Sequence, residues 1–454
     1  SEFQILATVS KELHRHFLET LLPTAASDDD NDSDESPASK VDKIIETCHT
    51  VVSQEGPQLH QVIRAVRNWL RFYLQIYPIL EASPRSSTDA LVRPFQQTEM
   101  LQLYLNLVEQ LVLEHQTVPA RYAALILFYA TFHPVPNAST RQVMQFLVHD
   151  LDLPRRLLQL YLKTDYIGVA LALTQNIHNL VGSAPPEISN IQFIRVKASE
   201  ASSGCPWVPP GKDEISYRAV WDCLLEYCLT DNSLSKFPGD KGDYRAELVG
   251  EILRTFFALR IGADLTATEQ RLVPLILQLD MSDPRSVECQ RSVMTLLTEA
   301  DASMAVVLAN ESMEAMLQLL ELQIDTVVTT SRIDDAAAAS LTPVLVTFYR
   351  FCQLEINFLQ QTRQAVFPNG TASNTNIISS NRMLPADAPE GTLRYKLIRL
   401  LTWPQGHIKR FASEILWQLC HSNPQEFGRS VGMGNALPFL ASKGYAQMPS
   451  GVIQ

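Results

Sequence analysis

The chain has 454 residues, of which 46% are hydrophobic and 19% charged, so it can bury a large core. Its formal net charge is −12, which leaves no general basic field to attract nucleic acid, and we expect no nucleic-acid partner. Its seven cysteines are scattered and form no Cys-x-x-Cys pair, a pattern typical of reduced cysteines rather than of a zinc site.

Apolar residues recur at intervals of three and four along almost the whole chain, the spacing of one buried helix face. No run of alternating strands is recognisable, and 17 glycines with 8% aromatic residues argue against a large β-sandwich or a glycine-rich nucleotide fold. The sequence therefore predicts an all-α protein whose helices must stack to bury their apolar faces.

The first predicted helix covers residues 4–22 and is followed by an acidic loop at 24–40. The segment SDDDNDSDESP within that loop is too acidic and too poor in apolar residues to order by itself. Ser27 precedes three aspartates and resembles an acid-directed phosphorylation site, although such segments more commonly serve as solubilising loops.

A helix that ends before Pro78 carries Arg64, Arg67 and Arg71 at spacings of three and four, so the three cations share one face. No acidic residue lies between them, and like charges at these spacings repel. The stripe favours an anionic partner group such as a carboxylate; a solvated helix face is the more common alternative.

Further helices are predicted at 97–115, 118–132, 138–150 and 165–182. The last of them ends with Asn176 and Asn179. Armadillo-type repeats resemble this pattern, because their inner helices often carry an asparagine that faces a concave groove. A capping role at a helix terminus is the equal alternative for both amides.

Residues 182–213 contain five prolines and no helical period, which predicts a long connection that either covers a groove or is inert. A long helix at 335–364 is expected to kink or restart at Pro343, and a polar loop at 367–389 follows it. The remaining predicted helices lie at 214–229, 243–260, 266–279, 284–299, 302–308 and 311–324.

Some candidate inner helices are separated by intervals that approach the ~40–47 residues of HEAT and armadillo repeats. We therefore expect one irregular armadillo/HEAT-like α-solenoid over residues 1–454, a right-handed superhelix of stacked helices with long irregular loops. Such a stack offers an extended groove for a peptide or a helix of a partner.

Catalytic patterns are scarce. The ten histidines form no metal-binding spacing, and the one G-x-S-x-G, at 428–432, lacks the preceding strand of a nucleophile elbow. We expect no enzyme with its own catalytic side chains, no metal and no cofactor.

Residues 390–445 contain three elements: LRYKLIRLLT at 393–402, ASEILWQLC at 412–420 and VGMGNALPFLASKG at 431–444. Together they resemble the C-terminal repeat of the synembryn family, the "resistance to inhibitors of cholinesterase" proteins. The matched family positions are Arg394, Lys396, Arg399, Gly432, Gly434 and Asn435.

The segment VRNWLR at 66–71 resembles, more weakly, a family helix whose arginines meet the carboxyl end of the partner. The resemblance implies a guanine-nucleotide exchange factor and folding chaperone for heterotrimeric G-protein α subunits. It would contact the C-terminal helix and the nucleotide domain of its partner, promote GDP release and hold the nucleotide-free state.

Two other classes of protein remain open. A non-catalytic armadillo scaffold of the ataxin-ten-like kind shares the two helices but not the G-x-G-N-A element, and a nuclear-transport-like receptor ranks third. No signal peptide and no apolar run of ~18–20 residues is recognisable. We therefore expect a cytoplasmic monomer that reaches the plasma-membrane periphery only through its partner.

Overall fold

The computed structural model describes residues 98–131, 138–183, 191, 193–229, 243–329, 335–368 and 388–445. They fall into two compact units: the first ends at Leu259, and the second begins at Arg260. A short stretch after Tyr227 belongs to the second unit. The predicted acidic loop at 24–40 and most of the predicted polar loop at 367–389 lie outside the described residues.

In the first unit, α1 packs on α2, α2 on α5 and α5 on α7. We call α2, α5 and α7 the first helix row. Because α5 has a neighbour on both sides, every residue from Gly168 to Thr174 is buried, so this helix is apolar nearly all round. The helices are α1 (Thr98–Leu113), α2 (Thr117–Thr131), α3 (Ala138–Gln145) with a π-helical turn (Phe146–Asp150), α4 (Leu153–Tyr161), α5 (Ile167–Ser183), α6 (Tyr217–Leu229) and α7 (Arg245–Ala258).

The predicted proline-rich connection is an ordered insertion in the part that the structure describes. Strands β1 (Arg195–Lys197) and β2 (Glu214–Ser216) pair antiparallel, with Val196 opposite Ile215. Trp207 is fully buried, and its indole Nε1 donates to the carbonyl of Tyr161 at 2.6 Å, which caps the end of α4. The anchoring tryptophan gives the described part of this segment a structural role.

The second unit repeats the same stacking, with α9, α12 and α15 packed in sequence as a second helix row. Buried Thr347 on α12 donates its hydroxyl to the carbonyl of Met294 on α9 at 3.0 Å. The helices are α8 (Ala267–Leu277), α9 (Pro284–Leu297), α10 (Ala302–Glu311), α11 (Met313–Thr329), α12 (Asp335–Leu354), α13 (Ile356–Val366), α14 (Leu393–Leu400), α15 (Gly406–Leu419), α16 (Pro424–Val431) and α17 (Met433–Ser442). The prediction of an all-α armadillo-like solenoid is confirmed.

One predicted helix restart was wrong, and two short helices were missed. Pro343 lies inside α12, and the long helix breaks instead at Glu355. The backbone of Glu355 is extended, and its carboxylate caps the start of α13 by accepting a hydrogen bond from the Asn357 amide at 2.9 Å. The short helices α4 and α16 were missed, although Pro154 and Pro424 in their first turns are typical helix-start signals.

No helix in the described part of the chain is both long and apolar enough to cross a membrane.

Replacing Trp207 by phenylalanine is expected to lower the free energy of unfolding by about 2–4 kcal/mol, because it leaves a cavity and leaves the Tyr161 carbonyl with only the weak Cys205 thiol donor. Chemical denaturation followed by circular dichroism measures this loss. As a control, Phe193→Ala in the same insertion removes a side chain that is 63% exposed and should change stability by less than about 0.5 kcal/mol. Equal effects of the two substitutions would contradict an anchoring role for Trp207.

Candidate functional site

The two asparagines predicted to face a groove lie instead between α2 and α5. The Asn176 amide donates to the carbonyls of Ala124 and Ala172 at 2.9 and 2.8 Å, and the Asn179 amide donates to Phe128 at 3.0 Å. Both side chains are buried. These two asparagines were predicted to contact a partner, and the structure corrects that prediction. Each amide is enclosed between α2 and α5 and joins the two helices by a hydrogen bond.

A buried carboxylate bridges α5 and α7. Glu251 lies with one oxygen 2.8 Å from Nδ1 of His178 and the other 2.7 Å from the Arg254 guanidinium. Burial by itself raises the pKa of this carboxyl, but the close approach of the His178 ring and the charge of Arg254 outweigh burial. The pKa of Glu251 therefore lies below its ordinary value of 4.5, and the group is ionised at neutral pH. Sequence reasoning missed this pair, because its members are 73 positions apart.

A second cluster closes around Gly168 near the beginning of α5. The Arg121 guanidinium lies 4.1 Å from the ring centroid of Tyr244, and Tyr166 packs edge-on against Tyr244 at 6.4 Å. This arginine lies on α2, whereas Tyr244 precedes α7, so the cluster spans the first helix row.

The candidate residues near the N-terminus, Arg64, Arg67 and Arg71, and the possible phosphorylation site Ser27 lie outside the described residues. Their predicted roles stay predictions.

Two of the three C-terminal cations make structural contacts. Nε and Nη2 of Arg394 both donate to the Ser430 carbonyl, at 3.2 and 2.7 Å, and burial lowers the pKa of this guanidinium. The Lys396 ammonium lies 2.7 Å from Asp325 on α11. Arg399, in contrast, is exposed, lies 5.9 Å from the Tyr395 ring and has no acidic partner in the parts of the chain that the structure describes.

The glycine-asparagine element shapes the junction of the last two helices. Gly432 has φ 88° and ψ 134° between α16 and α17, a conformation that side chains strongly disfavour. The Asn435 amide donates to the Val431 carbonyl at 2.9 Å and so bridges the same junction. Gly434 has ordinary helical geometry, and a Cβ atom there would meet open space.

Gly444 ends α17 with φ 80°. The Tyr445 amide donates to the Leu440 carbonyl at 2.8 Å and the Gly444 amide to Ala441 at 3.0 Å, which together form a Schellman motif. Backbone geometry therefore accounts for Gly432 and Gly444 in this stretch, but not for Gly434.

Within the described ranges, no group of three or more His, Cys, Asp or Glu residues is placed to hold a metal ion. Ser430 of the G-x-S-x-G pattern is a buried residue of α16, so the pattern lies on a helix.

A family model described as "Guanine nucleotide exchange factor synembryn" matches residues 223–451, just over half of the chain. Two curated relatives named Chaperone Ric-8A, from Xenopus laevis and Xenopus tropicalis, are 43% identical over 53 residues. That alignment covers 12% of this chain and only 10% of the length of each relative.

The two glycines of the motif offer a matched pair of substitutions. Gly432→Ala should lower stability by about 1–3 kcal/mol, because alanine avoids the required positive φ. Gly434→Ala should be neutral or stabilise by up to about 1 kcal/mol, because alanine favours the helix. Thermal and chemical unfolding of the two variants measure the difference, and a reversed order would contradict the proposed backbone role of Gly432.

Glu251→Gln should destabilise the protein by about 1–3 kcal/mol at pH 7, because it removes the charge that His178 and Arg254 hold. Since the folded pKa is below 4.5, the stability from this charge is complete above that pH and is lost as the pH falls through the folded value. The difference between wild type and variant should therefore shrink below about pH 4.5.

Denaturation curves between pH 3 and pH 8 measure this effect, with exposed Glu247→Gln on the same helix as the control. A difference that stays constant down to pH 3, or that grows on acidification, would exclude the proposed ionised bridge.

Proposed function

We propose, from the premise that this chain belongs to the synembryn family of guanine nucleotide exchange factors, that it binds G-protein α subunits and acts on them as exchange factor and folding chaperone. The observation that carries the proposal is the family match over residues 223–451. The names of the relatives, which describe a chaperone, support the second activity.

The chemistry this function requires is differential binding, with no covalent step. A protein that binds the nucleotide-free α subunit more tightly than the GDP-bound one promotes GDP release by that difference alone. Reversing a 1:99 equilibrium to 99:1 takes about 5.5 kcal/mol of differential affinity. A stable interface between two proteins can supply such a difference, provided that the binding surface is rigid enough to favour one state of the partner.

The described residues support the rigidity that this proposal needs. Buried polar side chains tie α5 to α2 and α12 to α9 within the two units, so the helices of each row keep a fixed register. The arginines predicted to meet the carboxyl end of the partner, Arg67 and Arg71, remain part of the proposal. We further propose that the protein acts as a monomer in the cytoplasm, or at the cell periphery through its partner.

The proposal predicts that the purified protein accelerates GDP release from an α subunit and forms a stable nucleotide-free complex. A non-hydrolysable GTP analogue should dissociate that complex. Release of a fluorescent GDP analogue and gel filtration measure the two effects. Failure of both with α subunits of several classes would refute the proposal.

The double substitution Arg67→Glu with Arg71→Glu should weaken binding to an α subunit at least about tenfold without lowering the unfolding temperature. Arg155→Glu with Lys212→Glu makes the same change of charge at exposed positions and should have no effect. Binding without faster GDP release would leave only the chaperone activity. Recovery of other partners but no α subunit would favour the scaffold alternative.

A further inference from the structure

Met433 at the start of α17 combines exposure to solvent with a defined packing contact. The residue is 60% exposed. The other methionines whose side chains the structure describes are at most 7% exposed: Met144, Met294, Met304, Met313 and Met316. A thioether is oxidised when a peroxide reaches its sulfur, so exposure selects the methionine that reacts. We propose that Met433 is a site of reversible oxidation that controls how α17 packs against α16.

The contact of Met433 lies across the turn that joins the two helices. A Cβ atom placed on Gly428, in α16, would lie 2.9 Å from Cε of Met433 and 3.5 Å from its Sδ. The end of the thioether therefore fills the space in which a side chain of residue 428 would begin. Methionine suits this position, because its unbranched side chain adapts to an irregular surface.

Gly428 is accounted for by this contact and not by its own backbone. It is buried inside α16 and is not among the described glycines with positive φ. Glycine in the interior of a helix is less favourable than alanine, so helix propensity does not favour it here. The close approach of Met433 is the interaction that a larger residue at position 428 would prevent.

Oxidation by hydrogen peroxide is a balanced two-electron step on the sulfur. A lone pair of Sδ attacks one peroxide oxygen, the O–O bond breaks, and that oxygen stays on the sulfur as a sulfoxide. The other oxygen leaves with both protons as water, so the sulfur is oxidised and the peroxide is reduced. In the reverse step a dithiol supplies two electrons and two protons; the sulfoxide oxygen leaves as water, and the dithiol becomes a disulfide. Methionine sulfoxide reductases catalyse this return, one enzyme for each sulfoxide epimer.

The sulfoxide does not fit the contact that the thioether makes. It is polar and chiral, and its oxygen is bonded to the atom that lies closely against Gly428. Holding such a group against an apolar surface without a hydrogen bond is unfavourable, so the oxidised side chain turns toward water. The turn at Gly432 and the hydrogen bond from Asn435 to Val431 remain, but the Met433 contact between α16 and α17 is lost. Oxidation therefore loosens the last two helices without unfolding them.

The first test measures where the peroxide reacts. The full chain is treated with dilute hydrogen peroxide at neutral pH, and the sulfoxide at each methionine is quantified over time by peptide mass spectrometry. Met433 should be oxidised at least about tenfold faster than Met294 and Met316, which are fully buried. Equal rates for these three methionines would overturn the proposal.

The second test measures what oxidation does to the fold. Peroxide should lower the unfolding temperature of wild type by about 2–4 °C, and the two reductases with a dithiol should restore it. Met433→Leu keeps an apolar side chain of similar size but cannot form a sulfoxide, so its unfolding temperature should lack this decrease. A decrease in Met433→Leu as large as in wild type would assign the effect to other methionines and exclude Met433.

Two alanine substitutions test whether the effect passes through Gly428. Gly428→Ala places a methyl group where the thioether lies, so Met433 is already displaced and its oxidation should cause no further decrease. Gly434→Ala adds a methyl group that meets open space, so this control should respond to peroxide as wild type does. A full response of Gly428→Ala would show that the contact does not control the packing. The comparison of Met433→Leu with wild type decides the proposal even when Gly428→Ala does not fold, and none of these measurements depends on the proposed function.

Discussion

Hydrogen bonds from buried side chains to the backbone of the preceding row helix fix the register of this protein. Packing of apolar helices is non-directional, so two smooth apolar faces can meet at several offsets. The Asn176 amide donates to the carbonyl of Ala124, and the Thr347 hydroxyl donates to that of Met294. A backbone carbonyl has two lone pairs, so each can accept this hydrogen bond in addition to one within its own helix. A shift between the helices would leave these donors unpaired in a dry environment, which costs about 1–3 kcal/mol for each group. The offset of the row helices is thus determined by a few polar atoms.

The polar clusters of the first row depend on that register. The Glu251 carboxylate meets His178 only if α7 keeps its position along α5, and Tyr244 meets Arg121 only if α2 and α7 are both placed against α5. The Glu251 carboxylate has a cationic partner in Arg254, and this cluster stabilises the seam between α5 and α7. Around Gly168, the Tyr244 ring holds the Arg121 side chain in place.

Periodicity of apolar residues was enough to predict the all-α class and most helix positions, because each helix must bury one face. It did not predict the partner of any buried polar group. Whether Asn176 faces a groove or a neighbouring helix depends on the register of α2, which is set by contacts 52 residues apart. Arg121, a single cation in an otherwise apolar helix, gives no pattern at all; its isolation becomes visible only when the distances to all described acids are known. Lys396 is a similar case, since its partner Asp325 lies on α11, 71 residues earlier in the chain.

Residues that identify a family need not contact its partner. The C-terminal motif identifies the family, yet Gly432, Gly444, Asn435 and Arg394 all serve the geometry of the last helices. Such residues are restricted in sequence because backbone conformation and buried carbonyls leave few alternatives, so they are recognisable whatever the partner is. An exchange factor that works by differential binding has no reactive side chains to reveal its site. Such a site is not revealed by the backbone constraints that make Gly432 and Gly444 recognisable.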